Sequence, residues 1–124
     1  MGWCLVIALL SAWLVEGAVA EDWTQWRGNQ RDGTWKETGL VEKFETGSLP
    51  VVWRQPISSG YSGPTVADGR VYVMDRQTEP EQTERVLCFD EQSGKPVWTY
   101  QYPSKYVAVG YVAGPRASVT VDEG

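Results

Sequence analysis

Hydrophobic positions fall into two regimes along the chain. Residues 3–15 form one apolar run broken only by Ser11. At that length it is short for a bilayer-spanning helix, which needs about 20 residues. The sequence Ala18-Val19-Ala20 then supplies an A-x-A cleavage site ahead of polar Glu21-Asp22, so residues 1–20 read as a secretion signal cut after Ala20, with Ala18 and Ala20 as the recognised small residues. No Lys or Arg precedes the apolar run. The expected product is exported, periplasmic or extracellular, with no stable membrane span after cleavage. Residues 21–50 are polar, rich in turn residues and without clear period, and they carry Trp23, Trp26 and Trp35.

From Val51 the pattern becomes that of β-strands. Val51-Val52-Trp53-Arg54-Gln55 is expected as a first strand, followed by a loop at Gly60-Tyr61-Ser62-Gly63-Pro64. Thr65-Val66-Ala67 enters a second strand that ends at Asp68-Gly69, a dipeptide suited to the positive φ of a primed hairpin turn. Along Arg70 to Asp75, Val71 and Val73 share one face while Tyr72 and Met74 share the other. Two apolar faces predict a strand covered on both sides, in the middle of a sheet. Residues 77–84 read as a charged loop, 85–90 as the next strand, and 97–100 as the last. The order predicts an all-β chain of antiparallel hairpins.

The connection between the last two strands is Cys88-Phe89-Asp90-Glu91-Gln92-Ser93-Gly94-Lys95-Pro96-Val97-Trp98. Its Asp90 suits a side-chain cap on the backbone that follows, and Gly94 a positive φ. Part of the pattern then recurs. Gly110-Tyr111-Val112-Ala113-Gly114-Pro115 echoes residues 60–64, and residues 118–124 echo residues 65–69. Trp53 and Trp98 lie 45 positions apart and the two Gly-Pro pairs 51 apart, near the roughly 40–50-residue periods of propeller repeats.

The segment from Cys88 to Trp98 resembles the tryptophan-docking motif of quinoprotein-type (PQQ-like, BamB-like) β-propellers, Ala-x-Asp-x-x-Thr-Gly-Lys-x-x-Trp. Asp90, Gly94, Lys95 and Trp98 match it, with Ser93 for Thr and Cys88 for Ala. The stretch Asp22-Trp23-Thr24-Gln25-Trp26-Arg27-Gly28, with Arg31-Asp32-Gly33 and Glu37-Thr38-Gly39-Leu40, resembles the opening of exported propeller proteins of planctomycete-type bacteria. The resemblance implies four-stranded antiparallel blades, with the motif tryptophan packed between neighbours. It divides the chain into a signal peptide (1–20), a Trp-rich extension (21–50) and incomplete propeller repeats (51–124). Residues 51–124 would then hold about one and a half blades, against the four or so that a closed ring requires. The chain is accordingly expected to be the N-terminal piece of a longer protein, whose remaining blades are its partners. Residues 51–55 would be the outer strand of the last blade, and the piece alone would be unstable or oligomeric.

Composition removes several chemistries. The chain has no His, so it offers no Ser-His-Asp triad, Cys-His dyad, His metal ligand or haem-attachment motif. Net charge is −5 with no basic cluster, which disfavours nucleic acid as a partner. Ser62 sits outside a G-x-S-x-G elbow, and residues 110–114 lack the third glycine of a dinucleotide loop. Asp68, Asp75, Asp90 and Asp122 are expected at strand ends as turn caps rather than as calcium ligands. Signal cleavage would remove Cys4 and leave Cys88, read as a small buried hydrophobe. No catalytic, cofactor-binding or metal-ligating residue is assigned. Pyrroloquinoline quinone with calcium enters by family resemblance alone, and the vicinal Cys pair and acidic calcium ligands of quinoprotein dehydrogenases are absent from this stretch. The expected function is a non-catalytic binding or scaffold module for an unspecified protein or small molecule. The alternative is a quinone-dependent dehydrogenase of alcohols or sugars whose active site lies outside this stretch. A third reading is carbohydrate binding through Trp23, Trp26 and Trp35.

Overall fold

The computed structural model describes residues 20–40, 42–44 and 47–123. The signal peptide, with Ala18, lies outside the described residues, and Ala20 is exposed at their start. The described chain is all-β. Four strands, β1 (Thr65–Ala67), β2 (Arg70–Gln77), β3 (Thr83–Asp90) and β4 (Pro96–Pro103), form one antiparallel sheet in the order β1-β2-β3-β4. No helix among the described residues is long and apolar enough to cross a membrane.

Turn chemistry sets the connections. Asp68 and Gly69 hold φ of 50° and 69°, the paired positive values of a type I′ turn, which matches the twist of the strands it joins. That turn pairs Ala67 with Arg70 and puts Val66 opposite Val71. The β2–β3 loop is shorter than the charge pattern suggested, because β2 runs on to Gln77 and β3 starts at Thr83. Likewise β4 runs past Tyr100 to Pro103.

Register sorts the side chains into two faces. Tyr72, Cys88 and Trp98 align across β2, β3 and β4, as do Met74, Val86 and Tyr100, and then Arg76, Glu84 and Tyr102. The opposite face carries Val73, Leu87 and Phe89, a buried cluster with Val71 against it. Both faces of β2 and β3 are therefore apolar at their centre, as the alternation of residues 70–75 required. β4 is different: almost all of it is exposed, Trp98 at 46% and Tyr100 at 62%.

Three expectations are corrected. Residues 51–55 form no strand and join no ladder. A β-rich segment becomes a strand only when a neighbour takes its N–H and C=O groups, and here Trp53 is held by its side chain instead. Residues 118–121 likewise join no sheet. Their contacts are single hydrogen bonds, from the Val121 N–H to the Thr24 carbonyl (2.9 Å) and from Thr65 Oγ1 to the Val119 carbonyl (2.6 Å). Asp75 is no turn cap: it lies within β2 and is fully buried. Its cross-strand partner Arg85 donates to Oδ1 at 2.8 Å and Oδ2 at 2.5 Å, and the Ser58 N–H donates to Oδ2 at 2.6 Å. A buried carboxylate survives only with such donors, and the bond to Asp75 raises the Arg85 pKa further.

The two sheet edges differ. On the β1 side, Trp23 and Val66 exchange N–H···O bonds of 2.8 and 3.0 Å, so the Trp-rich extension covers that edge. The free side of β4 has no strand beside it among the described residues.

Candidate functional site

Three side-chain constellations stand out: a turn, a phenol–carboxylate cluster and a tryptophan cleft. The turn joins β3 to β4. Asp90 Oδ1 accepts the Ser93 N–H (2.9 Å) and the Ser93 hydroxyl (2.6 Å), while the Gly94 N–H reaches the Asp90 carbonyl at 2.8 Å. Those Ser93 bonds favour the ionised carboxylate and lower the Asp90 pKa. The Asp90 N–H in turn reaches the Lys95 carbonyl (2.9 Å), so Lys95 contributes through its backbone. Gly94 sits at φ 67° directly beneath the indole of Trp53; a Cβ there would lie 2.5 Å from Trp53 Cδ2. The same indole donates from Nε1 to the Glu91 carbonyl at 2.6 Å and leans on Phe89, ring centroids 6.3 Å apart. Trp53 thus seats on a turn 38 or more residues ahead of it.

Trp98 occupies the other face. It lies opposite Cys88 and 5.9 Å from Tyr72. Cys88 is 1% exposed between these two rings in the register, and burial raises its thiol pKa. A small side chain is needed there because both flanking positions are aromatic. Among the described residues no base is hydrogen-bonded to the thiol, which is buried as a small packing side chain.

Sequence reasoning missed the second constellation. Glu84 accepts hydrogen bonds from both Tyr102 Oη (2.5 Å) and Tyr106 Oη. The bond to Glu84, then burial, pushes the Tyr102 pKa up to about 12. For Tyr106 burial is the larger cause and the Glu84 bond the second. Arg76 lies 4.0 Å above the Tyr106 ring, donates to the Val112 carbonyl and to Gln82 Oε1, and leaves its buried Nε without a partner. A cleft of about 280 Å³ opens beside this cluster, between Met74, Val109, Pro115 and Arg116. Its carboxylate is occupied by two phenols that stay protonated at neutral pH. Such a group is neither a free base nor a nucleophile, and the cluster reads as a clamp between β3, β4 and the segment after β4. Only the cross-strand register of Glu84 with Tyr102 could have announced it.

The third constellation gathers Trp23, Trp26 and Trp35. All three line one cleft of about 430 Å³, together with Arg27, Pro64 and Val66. Trp23 and Trp35 have ring centroids 5.5 Å apart at 37°. Gly28 makes room for Trp23, since a Cβ there would fall 2.9 Å from Cζ3. The loop is tied by its own polar groups: the Thr24 N–H and hydroxyl donate to Asn29 Oδ1, Gln25 Nε2 to the Asn29 carbonyl, and Arg31 Nε to Gln25 Oε1. Trp26 and Trp35 remain 67% and 58% exposed.

Among the described residues no group of three or more His, Cys, Asp or Glu could hold a metal ion. Asp68, Asp75, Asp90 and Asp122 do not converge, and Asp75 is fully committed to Arg85 and Ser58. Comparison with known proteins returned no matching family model, curated protein or solved structure.

Proposed function

We propose that the chain is an exported PQQ-like β-propeller repeat protein that works as a non-catalytic binding or scaffold module. The observation that carries this reading is the seat of Trp53 on the Gly94 turn. Trp53 and Trp98 stand 45 positions apart, so one repeat's tryptophan rests on the next repeat's Asp-x-x-Ser-Gly-Lys turn. The resemblance likewise implies tryptophans packed between neighbouring repeats. A four-stranded meander with apolar groups on both faces is also what a blade between two neighbours needs. Since one such sheet cannot close a ring, its exposed β4 aromatics would meet further blades or partners. Export rests on residues 1–20, and Edman or mass-spectrometric analysis of the secreted protein should find Glu21 at its N-terminus.

The non-catalytic part is tested by titrating the protein with pyrroloquinoline quinone and calcium, then offering alcohols and sugars with a redox dye. No shift of the quinone absorption and no dye reduction are expected. Cofactor binding with substrate-dependent dye reduction would instead establish the dehydrogenase.

A further inference from the structure

We propose that the cleft of Trp23, Trp26 and Trp35 binds an acidic sugar ring, such as a uronate unit of a polysaccharide. The inference rests on the binding-module reading and gives it a ligand class. A pyranose has one C–H face that stacks on an aromatic plate and a rim of polar groups. The cleft offers both kinds of contact. Trp26 and Trp35 are more than half exposed, while Trp23 is fastened to the edge of β1. Pro64 and Val66 add apolar wall, and the volume of about 430 Å³ suits one or two sugar units.

Charge narrows the choice. Arg27 is the sole charged residue lining the cleft among the described residues. Its guanidinium lies 5.6 Å over the Trp26 ring, and Nη2 donates to the Asp32 carbonyl at 3.1 Å. Among the described residues the fork's other donors have no acceptor, which leaves them for a ligand carboxylate, the group that Arg pairs with bidentately. The hydrogen bonds within residues 24–31 tie the loop that carries Trp26, and the bridge to Val66 holds Trp23 with Trp35 against its ring, so less loop ordering opposes binding. A proline-rich peptide also favours aromatic grooves, but it brings no anion for Arg27.

The test is calorimetry and tryptophan fluorescence on the full chain with three probes: a uronate tetrasaccharide, its carboxyl-reduced neutral counterpart, and a proline-rich peptide. The uronate should bind and perturb tryptophan emission, and the neutral sugar should bind about tenfold more weakly or worse. Arg27→Gln should bring the uronate down to the neutral level while Arg27→Lys retains part of the preference. Trp26→Ala should weaken both sugars without moving the unfolding midpoint, since that ring is exposed. Equal affinity for acidic and neutral sugars, no sugar binding, or preference for the peptide would overturn the proposal. A failed sugar titration leaves the quinone titration and the Trp53–Gly94 thermodynamics untouched, so the two readings fail separately.

Discussion

Replacing Gly94 by Ala should destabilise the protein far more than the same change at Gly69. Both glycines hold a left-handed backbone, φ 67° and 69°. An L-residue in that region costs about 1–2 kcal/mol. At Gly69 nothing lies within 4 Å of the new methyl, so the cost ends there. At Gly94 the methyl would meet Trp53 Cδ2, Cγ and Cε3 at 2.5, 2.7 and 2.8 Å. Those are the rigid centre of an indole, so the ring must leave its seat. Leaving breaks the Nε1–Glu91 bond, worth about 1 kcal/mol, and uncovers indole and Phe89 surface for about 1 kcal/mol more. The sum for Gly94→Ala is about 3–4 kcal/mol, against about 1–2 for Gly69→Ala. Urea unfolding followed by circular dichroism measures both. The double mutant separates backbone from clash: with Trp53→Ala already in place, Gly94→Ala should cost no more than Gly69→Ala. Equal costs at the two glycines in the wild-type background would refute the docking argument. So would a Gly94→Ala cost unchanged by removing Trp53.

Three further outcomes follow from the geometry. Arg85→Ala strands the fully buried Asp75 carboxylate and should cost about 3–5 kcal/mol in urea unfolding; Asp75→Asn with Arg85→Met should recover much of it. Asp90 has a folded pKa below its ordinary 3.8, so its contribution is present above that pH and is lost as pH falls through the folded value. An acid-unfolding series of Asp90→Asn should therefore be flatter below 3.8 than the wild type. Ultraviolet titration should find Tyr102 ionising near 12 rather than 10, with its stabilisation complete below pH 10 and lost toward 12; Glu84→Ala should lower that pKa.

Local chemistry made much of the sheet legible. Asp68-Gly69 and the Asp90–Gly94 turn need particular backbone angles, and few residues supply them, so these connections could be read directly. The two apolar faces of residues 70–75 announced a central strand for the same reason: alternation has period two whatever surrounds it. Cys88 as a small buried residue was also legible, from its alternation with apolar neighbours in a strand. By contrast, Val51-Val52-Trp53 has strand propensity but no ladder, because propensity does not provide a neighbour. Asp75 looked like a cap by residue type, yet the register put Arg85 directly across from it.

Contacts between distant positions belong to the tertiary structure. Trp53 meets Gly94 and Glu91, Glu84 meets Tyr102 and Tyr106, and Trp23, Trp26 and Trp35 converge on Pro64 and Val66. By itself the sequence determined the turns, the alternating strands and the all-β character, since these depend on φ preferences and on a residue's nearest neighbours. Which tryptophan is seated, which is left exposed, and which carboxylate is buried were decided only when the strands took register. Those outcomes depend on what a side chain meets across space, and that is set by the packing of the whole sheet.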